Sequence, residues 1–163
     1  GAPGLPRGAR LGVDVGKARI GVAASDPDGL IATPVETVPR VLEATGQDSA
    51  DVRAIGAFVE DRCGAVVYVG LPRHLSGKEG EATADARAFA MRLAAAVHPV
   101  PVRMVDERMS TVIASNQLRA AGKRTKSHRP VIDQAAAVII LQSALDAERA
   151  RGTRAGTPVA DAP

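Results

Sequence analysis

A chain of 163 residues, 45% hydrophobic and 24% charged, is long enough for one domain with a real core and excludes wholesale disorder. Only 2% of the residues are aromatic, which argues against a platform of rings on which single-stranded bases stack and leaves Val, Ile, Leu and Ala to build the core. A formal charge of +3 suits a polyanionic partner without requiring one, and the lone Cys63 excludes an internal disulfide or a cysteine zinc site.

No apolar run is long enough to span a bilayer and no signal-peptide pattern is present, so the expectation is a cytoplasmic protein with no membrane partner. Residues 1–9 are rich in Gly, Pro and Arg and read as a loose lead-in. Leu11 to Val15 and Ile20 to Ala24 are short apolar runs joined tightly around Gly16-Lys17, which predicts two strands. "SDPDG" is a turn by composition, and Leu30 to Val38 predicts a third strand, completing an antiparallel meander.

Val52, Ile55, Phe58 and Val59 recur at helical spacing and predict a helix over 48–62. Ala65 to Leu71 reads as a buried strand, and 79–97 as an Ala-rich helix with Phe89, Leu93 and Val97 on one stripe. Val100 to Val105 predicts a strand near an edge, because Pro101 cannot donate to a ladder. A short helix is expected over 110–121, then a basic loop over 122–129, then a long helix over 131–149 with a wide apolar face. The Gly, Thr, Ala and Pro content from Gly152 onward predicts a disordered tail. The organisation expected is a single domain over 10–150 with flexible ends at 1–9 and 151–163. Its fold class is α/β, a mixed sheet with helices on both faces.

Three acids sit where acids are unexpected. Asp14 lies inside an apolar strand, where an unpartnered carboxylate carries a large desolvation cost. Glu107 follows directly on the strand ending near Val105, and Asp133 opens the most apolar helix. Plainer explanations exist: Asp133 as a first-turn acid favoured by the helix dipole, and Glu107 as an ion-pair partner of Arg103 or Arg108. Asp26 and Asp28 need no role beyond their turn, and Asp106 should point away from Glu107 by strand alternation. If the first strand is central, however, the three carboxylates converge and repel one another unless cations neutralise them. All-oxygen ligands favour Mg²⁺ or Mn²⁺, and two such ions about 3.5–4 Å apart can activate a water and stabilise the leaving oxygen of a phosphodiester.

The stretches "LGVDVGKARIGVAASD", "VGLPRHLSGKEGEAT", "VDERMSTVIA" and "IDQAAAVIILQSALD" together resemble the YqgF/RuvX family, over about residues 10 to 149. These are ribonuclease H-like proteins described as Holliday junction resolvases and as nucleases maturing the 5′ end of 16S ribosomal RNA. The resemblance implies a ribonuclease H-like sheet of five strands. It also implies a metal-dependent endonuclease, with Asp14 as the family's first acid, Glu107 as the glutamate of its DER motif and Asp133 as the acid of the last helix.

Other residues would then meet the nucleic acid, a four-way DNA junction or precursor rRNA. Lys17 and Arg19 lie just beyond Asp14, and the loop after the fourth strand offers Arg73, His74 and Ser76. Lys123, Arg124, Lys126 and Arg129 form a run of cations leading toward Asp133, each phosphate contact being worth about 0.9 in the salt slope on duplex DNA. His128 is a candidate for moving a proton or aiding product release. A junction substrate, cut symmetrically, would call for a homodimer. Three rivals remain. An ATP-binding domain of the actin and Hsp70 type would need a second such domain. A non-catalytic RNA-binding or ribosome-associated factor would bind without metal-dependent turnover, and a structural scaffold leaves the acids unexplained.

Overall fold

The computed structural model describes residues 5–41, 49–72, 80–107 and 129–159, with the side chains of 129–133 outside that description. The expected helix over 110–121 and most of the basic loop lie outside the described residues.

The meander forms as expected. β1 (Arg10–Val15) pairs antiparallel with β2 (Arg19–Ser25), and β2 pairs antiparallel with β3 (Ala32–Pro39). The Asp26 carboxylate closes the β2–β3 connection by accepting the backbone N–H groups of Leu30 and Ile31, each at 2.9 Å, which bears out its role as a turn residue. After α1 (Ala50–Asp61), β4 (Val66–Leu71) pairs parallel with β1; after α2 (Glu81–Val97), β5 (Val102–Asp106) pairs parallel with β4. The long α3 (Arg129–Arg151) crosses the opposite face. The sheet order is β3-β2-β1-β4-β5-β6.

Strand alternation divides the core in two. Leu11 and Val13 of β1 and Val67, Val69 and Leu71 of β4 pack with Val52, Ile55, Phe89 and Leu93 of α1 and α2. Val66 and Tyr68 of β4 pack instead with Ala137, Leu141 and Leu145 of α3. Each fully buried side chain of this size is worth about 1.5–3 kcal/mol over an exposed one, and these small aliphatic groups supply the core that the scarce aromatics do not.

Gly12 sets how closely α3 approaches. A Cβ there would stand 2.6 Å from the Leu141 Cβ and 2.9 Å from the Ala137 carbonyl oxygen, so only glycine lets the helix lie directly on β1. Arg10, Gly12 and Asp14 share this face. Arg10 pairs with Glu148 and Gly12 meets Leu141 and Ala137, so β1 and α3 run in opposite directions. One further step along β1 brings Asp14 opposite the first turns of α3, the part that contains Asp133.

Among the described residues the sheet has six strands, not five. The tail expected to be loose turns at Gly152 and Gly156, and β6 (Thr157–Pro158) then pairs antiparallel with β5. Composition misleads here because distant side chains hold the tail. Arg103 donates from Nε to the Ala155 carbonyl at 2.6 Å and from Nη2 to that of Gly156 at 2.8 Å, while the Ala155 N–H reaches the Tyr68 hydroxyl at 3.2 Å. Val159 packs on the larger core cluster.

Candidate active site

Asp14 lies near the carboxyl end of β1 and Glu107 immediately past the carboxyl end of β5, the region of an open parallel sheet where ligands collect. The two strands are not neighbours, because β4 runs between them. Gly70 is the reason the acids can still meet. The parallel register pairs Val13 with Val69, which sets Gly70 beside Asp14. A Cβ on Gly70 would stand 2.7 Å from Glu107 Oε1 and 2.6 Å from Ile140 Cδ1. The Glu107 side chain therefore lies over the bare backbone of β4, and its carboxyl shares a hydrogen bond with Asp14.

Burial first, and then the neighbouring Asp14 carboxylate, push the Glu107 carboxyl up to about 8, with the Asp106 charge adding to the effect. Of the two arginines expected as partners of Glu107, Arg103 donates to the tail carbonyls of Ala155 and Gly156, and Arg108 lies outside the described residues. Asp106 lines a different cavity, with residues of α3 and the tail.

Asp14 and Glu107 open into a cleft of about 500 Å³ that is also lined by Gly16, Lys17, Pro72, Glu81 and Asp85. Lys17 is exposed at its rim. Arg19 begins β2 and is not among the described residues lining the cleft. Thr83 of α2 donates its hydroxyl to the Pro72 carbonyl, which ties the end of β4 to the start of α2 across the cleft. Sequence reasoning missed Gly70, Glu81 and Asp85. A glycine interrupting the apolar run "AVVYVGL" was the available signal for the first; the other two look like ordinary acids on a surface helix.

Asp133 lies in the first turns of α3, and Arg129 opens that helix, but both side chains fall outside the described residues. Arg73, His74, Ser76, Lys123, Arg124, Lys126 and His128 also fall outside them. Among the described residues no three His, Cys, Asp or Glu side chains gather as a metal site.

A family model described as Holliday junction resolvase, RuvX, matches residues 8–147. The chain belongs to the RuvX family. Among curated relatives named "Putative pre-16S rRNA nuclease", one from Streptomyces avermitilis is 55% identical over 157 residues, covering 96% of this chain and 97% of the relative. One from Clavibacter michiganensis subsp. michiganensis is 58% identical over 152 residues, 93% and 91% of the two chains. One from Rhodococcus jostii is 54% identical over 156 residues, 96% and 86%. The solved structure of T. thermophilus RuvC in complex with a Holliday junction substrate aligns with a TM-score of 0.55, covering 93% of this chain and 99% of that one. At 17% identity that likeness speaks for the ribonuclease H-like fold. Among the described residues of this RuvX member, no helix is long and apolar enough to cross a membrane.

The Gly70 geometry gives a direct prediction. Gly70→Ala meets Ile140 Cδ1, Glu107 Oε1 and, at 3.2 Å, Glu107 Cγ, all atoms of two flexible side chains and none of the backbone, so the fold should yield cheaply and the melting temperature should move by no more than about 3 °C. The displaced atom is a carboxylate oxygen of the site, and a shift of about 1 Å there is expected to slow cleavage about 100-fold. Single-turnover rates beside a thermal melt check this; a wild-type rate would show that Glu107 has no need of the space above β4.

Proposed function

We propose that the chain is a metal-dependent endonuclease that hydrolyses phosphodiester bonds in structured nucleic acid, with the 5′ end of precursor 16S rRNA as its first candidate substrate and four-way DNA junctions as its second. The observation that carries this is the Asp14–Glu107 pair: two carboxyls in hydrogen-bond contact at the carboxyl ends of parallel strands, in a cleft. The rRNA is placed first because relatives more than half identical to this chain carry that name. The family description supplies the junction.

The donor set fits a hard divalent cation. Both groups are half-buried carboxyls, and their mutual repulsion is what a cation between them relieves. Asp14 and Glu107, joined by Asp133, would hold Mg²⁺ or Mn²⁺, in a pair of ions if the site is complete. When bound, such ions neutralise charge at the scissile phosphate and make water a stronger nucleophile. The chain's own part is to hold the carboxyls at fixed separation through Gly70 and to offer Lys17 to a neighbouring phosphate. Arg19, Arg73, His74, Ser76, Lys123, Arg124, Lys126 and Arg129 are assigned to the nucleic-acid backbone, and His128 to proton movement near the leaving group. Symmetric cutting of a junction would use a two-fold dimer, whereas trimming an rRNA end would not.

The test is cleavage of a labelled 16S precursor and a labelled four-way junction side by side, with Mg²⁺, with Mn²⁺ and with chelator. A variant carrying Asp14→Asn, Glu107→Gln and Asp133→Asn is run beside the wild type. Cutting that needs metal and all three acids is the expected result, and the faster substrate names the activity. If both proteins bind but neither cuts, the chain is the non-catalytic RNA- or ribosome-associated alternative.

A further inference from the structure

Arg40, the residue after β3, is buried to 3% side-chain exposure beside the cleft and is used from both its main chain and its side chain. Its backbone N–H donates to the Ala18 carbonyl at 2.9 Å, and its Nη1 donates to the Gly16 carbonyl at 2.9 Å. Both acceptors belong to the turn between β1 and β2, which begins two residues after Asp14 and carries Lys17 into the cleft. The same guanidinium grips Asp85 of α2 in a two-pronged pair, Nη1 to Oδ2 at 2.7 Å and Nη2 to Oδ1 at 2.9 Å. It lies 5.4 Å from the centre of the Phe89 ring, and its Nε is 3.8 Å from the buried Asp51 carboxylate of α1.

This is more than packing requires. A lysine could supply the charge, but only the planar fork can hold a carboxylate with two bonds and still reach a carbonyl on another element. The elements so joined are the turn and α2, which line two sides of the cleft. Asp85 itself lines the cleft and is 40% exposed there, where a bare carboxylate would repel a phosphate backbone. Its hydrogen bonds to Arg40 hold it below the usual carboxylate range despite burial, so at neutral pH it is charged and paired.

We propose that Arg40 is the positioning residue of the cleft: it pins the turn that presents Lys17 and cancels the Asp85 charge in the opposite wall, so that the cleft accepts a nucleic-acid phosphate. The assignment rests on the nuclease reading of the site and adds a group with no contact to the reacting atoms.

The test uses the full chain without metal and four variants, Arg40→Lys, Arg40→Gln, Asp85→Asn and the double Arg40→Gln/Asp85→Asn. Hydrogen exchange reads the turn: amides of residues 16–19 should exchange at least tenfold faster in Arg40→Lys, with β1 and β4 unchanged. Affinity for the labelled precursor and junction at low salt reads the charge. Arg40→Gln should bind at least tenfold more weakly, Asp85→Asn at least as tightly as wild type, and the double variant within threefold of wild type. A residue that merely supported the fold would give no such recovery. If the wild type cuts but turn exchange is unchanged, or the double variant binds no better than Arg40→Gln, the assignment to Arg40 is overturned while the nuclease reading stands. A wild type that neither binds nor cuts overturns both.

Discussion

Asp14→Asn is expected to abolish cleavage, by at least about 10³-fold, and at the same time to raise the melting temperature of the metal-free protein. The first effect follows from removing one charged ligand of the proposed cation site. The second follows from the cost of the pair itself. Burial and the Asp14 charge hold Glu107 up to about 8, against an ordinary 4.5, so the folded chain binds this proton more tightly than the unfolded chain does. A group raised in this way contributes stability that is complete below about pH 4.5 and is lost as the pH climbs toward 8. Wild-type protein in chelator should therefore melt progressively lower across that window. The variant removes the repelling carboxylate, flattens the slope, and at pH 8 should be the more stable by about 1–2 kcal/mol, or roughly 2–8 °C.

Saturating Mg²⁺ should reverse the order, since a ligand at 100 times its Kd adds about 2.7 kcal/mol to a protein that binds it and nothing to one that does not. Melts at several pH values, with chelator and with Mg²⁺, read all of this. An Asn variant that melts lower at every pH, with the same response to Mg²⁺ as wild type, would mean that Asp14 is a structural acid.

Much of the architecture could be read from local pattern. The short apolar runs of β1, β2 and β4 and the helical spacing of Val52, Ile55 and Val59 place their elements within a few residues, because these strands are covered on both faces and that helix on one. Asp14 was legible for the complementary reason: a carboxylate in an apolar strand contradicts its surroundings. Lateral order was not legible. Nothing in the spacing of β1, β4 and β5 says that β4 separates the acids, and hence that Gly70 must leave room for Glu107 to reach across.

Arg40 was illegible for a different reason. Its partners lie 24 and 45 residues away in the chain, and a single arginine after Pro39 looks like any surface cation. The tail is the same case in reverse. Its composition signals freedom, but order comes from Arg103 and Tyr68, whose commitment to residues 155 and 156 is a property of the folded sheet. Local chemistry predicts elements and flags anomalies; long-range polar partners emerge only once the strands are in order.

The end of β1 away from Asp14 should carry the largest stability effect. Arg10 and Glu148 are 1% and 2% exposed, and their side chains pair at 3.1 Å between Nε and Oε1. Arg10 Nη1 donates to the carbonyls of Gly8 at 2.7 Å and Pro27 at 2.8 Å. The other Glu148 oxygen accepts from Arg154 at 2.9 Å and from the Tyr68 hydroxyl, which burial and then this same hydrogen bond hold protonated well above the usual phenol range. Glu148→Ala strands a buried guanidinium and removes an acceptor from Tyr68. The expected cost is about 3–5 kcal/mol, a large share of the 5–15 kcal/mol typical of a domain, and a fall in melting temperature of roughly 6–20 °C. Replacing both partners, Arg10→Met with Glu148→Leu, should cost less than Glu148→Ala alone, because no unpaired charge stays buried. Below the melting transition both proteins should cut at close to the wild-type rate, since Gly12 and about four turns of α3 separate this pair from the Asp14 end of the cleft. A fall of less than about 3 °C in Glu148→Ala would show instead that water reaches Arg10 once the carboxylate is gone, and that the network orders the tail without holding up the fold.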